Sequence, residues 1–550
     1  MKNWKILSKI KAQRAKLNPE KVVKILLENR GIKTKKETEE FLNPKLEKVS
    51  IDSVGIDRKQ LRIAIKRIKQ AIKNQEEIVV FGDYDVDGIC GTAILWETLN
   101  SVGAKVMPYI PHRIEEGYGL SEKGIDSLRL TIKNCSLIIT VDNGIVANRA
   151  VDYAIAQGID VIITDHHVVS EVKPKALAIV HTTKLCGTGV AWMLSQKFKK
   201  NKTHLELVAL ATVADLVPLV GANRTLLKFG LEELSETKRI GLLELFKEAG
   251  LSKEKIGTYE IGHIIAPRLN AMGRLEYAMD SLRLICTNNP KRAAVLADLL
   301  GKTNKERQDL TLRMVLHAKD YVKLQKEKLK DLLFIVHESY DQGVIGLVAG
   351  KIVEEFYRPT IVVSKGEKFS KASARSISGF NMIEFIRSAQ EFLVDAGGHP
   401  MAAGFTVETA KLPLLQKALE TKAATLLNKD LLARSLRVDG EIPLSLINNN
   451  LNKAIEELSP FGMKNPEPTF LTENVLVEDM RLVGNEGKHL KFTFGDKKLG
   501  IKLPGIAFGM GEMFSKIKIG DEVTIVYVIN ENEWNGEKRL QLKIKDLVKL

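Results

Sequence analysis

The chain has 550 residues, 44% hydrophobic and 27% charged, with a mean hydropathy of −0.07. That is more apolar residue than one core needs, so two to four domains are expected, and no run of about 18 apolar residues suggests a membrane span. Lys and Arg outnumber Asp and Glu by 83 to 68, a net charge of +15, which points either to a polyanionic partner, nucleic acid first, or to a lysine-rich surface that keeps the chain soluble.

The N-terminal stretch MKNWKILSKIKAQRAK is basic but lacks the continuous apolar core of a secretory signal. Residues 1–56 read as a helical extension, in which Pro19 opens PEKVVKILLENRGI, Val22, Val23, Leu26 and Leu27 form an apolar stripe, and Gly31 is the stop. A second basic helix, about Arg58 to Lys73, begins a unit spanning 57–290. There the rhythm changes to short apolar strands alternating with helices: EEIVVFGDYDVDG, SLIITVDNGI, a helix from about Ala147, then DVIITDHH. This is the pattern of a parallel α/β sheet, whose ligands sit at the carboxyl ends of the strands. Residues 291–330 read as a long connector helix, with Leu296, Leu299, Leu300, Leu310, Met314 and Tyr321 in rough helical period. A smaller α/β unit follows at 331–430, containing GVIGLVAGKI, PTIVVSK, SARSISGF and AGGHPMAAGF. Residues 435–550, with LKFTF and EVTIVYVIN, read as a β-barrel.

Cys90, Cys135, Cys186 and Cys286 are scattered without a C-x-x-C pair. A zinc ribbon or disulfide framework is not expected, and a reducing cytoplasm fits.

The chemistry gathers at strand ends. Asp83, Asp85 and Asp87 occupy alternate positions after the first strand, between Gly82 and Gly88. Such a group is either a surface acidic turn or a site for a divalent cation, which relieves the mutual repulsion. Asp142 ends LIITV, Asp165, His166 and His167 end VIIT, and Asp215 is a further carboxylate among apolar residues in ALATVADLVPL. Together these ligands suffice for two divalent ions sharing a bridging carboxylate, for which Asp142 is the candidate. Two metals about 3.5–4 Å apart imply phosphoryl chemistry. His167 either contacts the scissile phosphate or orients a neighbour.

DYDVDG, VDNG, TDHH and ATVADLVPL resemble the four motifs of the DHH phosphoesterase superfamily. ENRGI, PHRIEEGYGL, LCGTGVA, PRLNAMGRL, SARSISGFN, AGGHPMAAGF and PFGMKNPEP are similar, in the same order, to the RecJ family of single-strand-specific exonucleases, from about Leu26 to the C-terminus. The resemblance implies 5′→3′ degradation of single-stranded DNA to mononucleotides with two Mn2+ or Mg2+ ions, in DNA repair and recombination. It implies a DHH catalytic domain at 57–290, a DHH-associated (DHHA1) substrate-binding domain at 331–430 and an OB-fold at 435–550. It also implies a single-strand-binding protein and a RecQ-type helicase as partners; the composition fits a cytoplasmic chain that is not membrane-bound, and a multi-lobed clamp can work as a monomer. Asp85, Asp87, Asp142, His166 and Asp215 match the family's metal ligands, and Asp83 matches the motif either as a ligand or as support for one. Asp142, His166 and His167 are the candidate catalytic residues. Arg113, Arg274, Ser373, Arg375 and His399 match positions expected to bind phosphates near the 5′ end, for which guanidinium forks are suited. AIVHTT, in a short segment after TDHH, and Tyr340-Asp341 depart from the family pattern without touching a ligand.

In the barrel, Phe492, Phe494, Tyr527 and Trp534 are candidates for base stacking, with Lys488 and Lys491 for phosphates. Alternation sets Phe492 and Phe494 on one face, where core packing is the expected role, so Trp534, beside the Asn535-Gly536 turn, is the preferred stacking residue. Two other functions compete: a small-substrate DHH phosphoesterase of short oligonucleotides, cyclic dinucleotides or pyrophosphate, and an inactive nucleic-acid-binding scaffold. The basic β-domain argues against the first, and the complete ligand set against the second.

Overall fold

The computed structural model describes residues 3–8, 17–169, 171–199, 203–324, 329–496, 500–534 and 537–549. It divides into two compact units, one of Ser50–Asp215 and Phe229–Arg434, the other of Met1–Val49, Leu216–Lys228 and Ser435–Leu550.

The larger unit holds two sheets. The first is fully parallel, with strands in the order Lys105–Tyr109, Glu77–Gly82, Cys135–Val141, Asp160–Asp165, Ala178–His181. Its central strands are buried along nearly their whole length, which explains why they read as unbroken apolar runs rather than alternating ones. The strand order reverses at Glu77–Gly82 and Cys135–Val141, the place where such sheets open a crevice at their carboxyl ends. The second sheet is mixed, ordered Leu393–His399, Ala402–Glu408, Phe369–Arg375, Thr360–Ser364, Leu333–His337. A 35-residue helix, Pro290–Leu324, joins the two lobes. It packs on helices Ile240–Glu248 and Ala266–Leu275 of the first lobe and Ile345–Phe356 of the second. Against the expected 291–330, the described connector helix covers Pro290–Leu324, and residues 325–328 lie outside the described residues.

The other unit is built on a closed barrel. Strands Phe470–Val483, His489–Asp496, Ile501–Ala507, Glu537–Lys549 and Glu522–Trp534 pair in a ring, closed by Phe470–Val483 against Glu522–Trp534. The N-terminal residues are not helical throughout as the sequence suggested: Asn3–Ile6 is a strand, paired in parallel with Ser435–Val438. Its partner is remote in the chain, so no local pattern could announce it. Helices Pro19–Asn29 and Lys35–Leu42 follow, the first capped by Asn18 with proline at its start, the second by a Thr34–Glu37 capping box. Arg224 holds the unit's three chain segments together. Its side chain is fully buried. It donates to the carbonyls of Phe41 (2.8 Å), Leu458 (3.0 Å) and Ser459 (2.7 Å), with the Phe41 ring 3.8 Å away.

Among the described residues no helix is long and apolar enough to cross a membrane.

Candidate active site

The acidic clusters meet at the carboxyl ends of the parallel strands. Asp85 caps helix Val86–Ser101, its Oδ1 accepting from the amides of Asp87 (2.9 Å) and Gly88 (3.1 Å). A Cβ at Gly88 would stand 2.4 Å from the Asp83 carbonyl oxygen, so only glycine lets the helix start this close to the strand. Asp87 is held from the other side. Its two carboxylate oxygens accept the amides of Gly187 (2.6 Å) and Thr188 (2.7 Å), at the first turn of helix Gly187–Ser195, where the unpaired N–H groups favour an anion. Asp142 leaves its strand in the left-handed region, φ 62°, a conformation that aspartate and asparagine adopt more readily than most residues. Asp215 ends helix Leu205–Ala214.

His166 gathers these carboxylates. Its Nε2 lies 3.1 Å from Asp142 Oδ1, 3.6 Å from Asp215 Oδ2 and 3.7 Å from Asp87 Oδ2. The approach to Asp142 lacks the alignment of a hydrogen bond, which leaves buried Asp142 Oδ1 without a donor among the described residues. Burial first, then the neighbouring carboxylates, push the pKa values of Asp83, Asp85, Asp142 and Asp215 above the usual carboxylate range. Three sets of donor atoms converge: Asp87, His166 and Asp215; Asp142, His166 and His167; Asp83, Asp85 and Asp142. Oxygen and imidazole donors around an orphaned, unneutralised carboxylate fit divalent cations.

His167 sits beside this group. Its Nδ1 donates to Asp165 Oδ1 at 2.7 Å, and its Nε2 lies 3.4 Å from the Tyr118 hydroxyl. Burial would lower its pKa, but the Asp165 hydrogen bond and the surrounding carboxylates raise it to about 9. The His399 ring stacks on it with centroids 6.0 Å apart. His399 ends strand Leu393–His399, in a hairpin where a Cβ at Gly398 would meet the Ala402 carbonyl oxygen at 2.4 Å.

The phosphate candidates also come together. The Arg113 guanidinium lies over the Tyr84 ring at 4.9 Å. Burial first, then the charges of Arg113, Arg307 and Arg375, lower the Arg274 pKa to about 10. Arg375 donates to Ser373 Oγ at 3.1 Å, and Arg274 Nη1 to the Gly343 carbonyl at 3.1 Å. None of these four guanidiniums has an acidic partner among the described residues. Arg307, on the connector helix and bonded to Asn304 Oδ1, escaped sequence reasoning because nothing in TNKERQ separates it from the other charges of that helix. Asp165 was visible in the motif, but not that it orients His167.

The barrel candidates divide differently. Phe492, Phe494 and Tyr527 are buried at 1%, 0% and 0% exposure, with the Tyr527 hydroxyl bonded to Thr472, so they are core and not stacking platforms. Trp534 ends a strand, and its side chain lies outside the described residues. Lys488 is exposed and pairs with Glu486 at 2.9 Å.

A parallel sheet that presents D-x-D, D-N-G and D-H-H clusters at its strand ends, followed by a second lobe carrying arginines, defines a DHH-type phosphoesterase. Family models agree: "DHH family, N-terminal domain" matches residues 77–214, "DHHA1 domain" 329–425 and "RecJ OB domain" 438–546. The chain is 37% identical to the single-stranded-DNA-specific exonuclease RecJ of Bacillus subtilis, over 98% of this chain and 69% of that protein. It is 30% identical to the RecJ of Escherichia coli, over 95% of each. The crystal structure of RecJ in complex with Mn2+ from Thermus thermophilus superposes with a TM-score of 0.82 at 29% identity, covering 100% of this chain and 80% of that one. The chain belongs to the RecJ family of single-stranded-DNA-specific exonucleases.

Proposed function

We propose that the protein degrades single-stranded DNA from the 5′ end, releasing mononucleotides by metal-dependent hydrolysis of the phosphodiester. The observation that supports this reading is the pairing, in one unit, of a carboxylate–histidine cluster whose carboxylates outnumber its cations with a guanidinium cluster that makes no ion pair among the described residues. A divalent cation answers the first need and a terminal phosphate the second.

Asp85, Asp87, Asp142, His166 and Asp215 would hold two Mn2+ or Mg2+ ions, with Asp142 the shared ligand and Asp83 supporting the loop. When bound, the ions supply neutralising charge at the attacked phosphate and the acidity that makes water a nucleophile. The chain's own groups do the rest. Arg113, Arg274, Arg307 and Arg375, with Ser373, bind and orient the terminal phosphate, which fixes the polarity of attack. His167, held by Asp165, is positioned to donate a hydrogen bond to the scissile phosphate or the departing oxygen, with His399 against its face. The barrel adds affinity along the strand. The reading extends to DNA repair and recombination, and to a single-strand-binding protein and a RecQ-type helicase as partners of a monomer; family membership alone supports that extension.

The test is digestion with Mn2+ of single-stranded DNA labelled at either end, beside the matching duplex. Early release of labelled mononucleotide from the 5′ end of the single strand is expected. Release from the 3′ end, or hydrolysis only of dinucleotides or pyrophosphate, would overturn the reading.

A further inference from the structure

The helix that follows the D-Y-D turn begins with amides that need acceptors from outside it. Ile89 N bonds in the ordinary way to the Asp85 carbonyl, at 2.8 Å. The amides of Asp87 and Gly88 both go to a single side-chain atom, Asp85 Oδ1. Val86 N goes elsewhere: it donates at 2.9 Å to Oδ1 of Asn270, 184 residues away in helix Ala266–Leu275. The helix bearing Asn270 is seated on the same turn by its backbone, since a Cβ at Gly273 would lie 2.3 Å from the Tyr84 carbonyl oxygen. Arg274, the next residue, is one of the four clustered guanidiniums.

We propose that Asn270 is a positioning residue for the metal-binding turn: its amide oxygen takes the helix-terminal N–H that Asp85 Oδ1 does not, and so leaves Asp85 Oδ2 free to face a cation. Without that acceptor, the Val86 amide is left unpaired beside a flexible carboxylate one residue before it, and an unpaired amide in a part-buried turn is costly enough to draw the carboxylate round. Asp85 Oδ2 would then serve the backbone instead of the metal. The role is indirect, because the Asn270 Oδ1 is already taken by the Val86 amide. It also couples two functions through one rigid element: the turn that carries Asp85 and Asp87 is clamped by the same helix that presents Arg274.

The inference rests on the divalent-metal reading above, and its test is binding of Mn2+ alone, by calorimetry or by loss of the free-ion resonance signal, in the full-length protein without DNA. Asn270→Ala is expected to weaken Mn2+ binding by about 10-fold or more, the usual effect of removing a residue that orients a ligand. Asn270→Asp keeps an acceptor at the same place and is expected to bind within about 3-fold of the parent, well inside that effect. Binding of a 5′-phosphorylated oligonucleotide in chelator should be equal in the parent and Asn270→Ala, which a general loosening of the helix would not allow. Should the alanine variant not fold, Asn270→Ser, whose hydroxyl falls short of the Val86 amide, carries the same expectation. A folded Asn270→Ala that binds Mn2+ as the parent does overturns the inference and leaves the metal reading standing. A parent that binds no Mn2+ overturns both.

Discussion

Asp165 takes the Nδ1–H of His167 at 2.7 Å while its second oxygen accepts the Ile145 amide at 2.9 Å. A carboxylate can only accept here, so Nδ1 carries a proton and the ring plane is set, with Nε2 3.4 Å from the Tyr118 hydroxyl. Asp165→Asn removes the charge and offers the ring a competing donor. Turnover should fall about 10- to 100-fold, with KM for DNA changed far less. Equal losses in both constants would show that Asp165 supports substrate binding instead.

Asp142 is a buried carboxylate in left-handed backbone, repelled by Asp87, Asp85, Asp83 and Asp215. Asparagine tolerates that backbone, so Asp142→Asn tests the charge without breaking the turn. Hydrolysis should be abolished, yet in chelator the variant should melt at a higher temperature than the parent, since one of several mutually repelling charges is gone. Saturating Mn2+ should reverse the order: at about 100 times its dissociation constant it stabilises the parent by about 2.7 kcal/mol. A variant less stable than the parent in chelator would mean the carboxylate has a partner in the fold.

Arg375 and Arg307 reach one cluster from different elements, strand Phe369–Arg375 and helix Pro290–Leu324. Alanine at either should weaken binding of 5′-phosphorylated single strands by about 10-fold, the scale of one hydrogen bond to a charged group. Ends bearing a 5′-hydroxyl should lose much less. Equal loss on both kinds of end would remove the residue from the phosphate site.

Away from the site, Glu97 accepts from His204 at 2.7 Å and from Arg239 at 2.6 Å. Burial alone would raise its pKa, but these two partners outweigh burial and bring it to about 2. The folded value lies below the unfolded one near 4.5. The stabilisation is therefore complete above about pH 4.5 and lost as pH falls towards 2, about 3 kcal/mol across that window. Chemical denaturation at several pH values should show this loss in the parent and a flatter profile in Glu97→Gln. An unchanged profile would assign the acid sensitivity to other groups.

The legible parts of this molecule are those where chain-local pattern and final environment coincide. Val79, Val80 and Phe81 are apolar on both faces of their strand because helices cover both faces, and Asp83, Asp85 and Asp87 stand out because carboxylates follow directly. What stayed hidden depends on partners remote in sequence. The Gly187 and Thr188 amides clamp Asp87 across 100 residues, and strand Asn3–Ile6 waits for Ser435–Val438. In the barrel, alternation placed Phe492 and Phe494 on one face correctly, but period two cannot say which face is inside; closure of the ring buries them.

With Phe492, Phe494 and Tyr527 in the core, the DNA contact proposed above for the barrel draws on its cations. A groove of about 520 Å³ is lined by Arg481, Lys491, Pro504, Arg539, Leu540 and Gln541, among others. Arg481 stands directly opposite Lys491 across the antiparallel pair. Like charges in register destabilise a sheet, and neither makes an ion pair among the described residues. A phosphate chain would supply the missing anions, with Pro504 and Leu540 offering apolar surface to bases. Replacing Arg481 and Lys491 together by glutamine should weaken single-strand binding and flatten its dependence on log salt by about 0.7 for each phosphate that is no longer neutralised. Cleavage of a saturating short strand should continue at the parental rate. If affinity falls while the salt slope stays fixed, the two residues act on the barrel's shape rather than on phosphates. If neither changes, this groove takes no part in binding DNA.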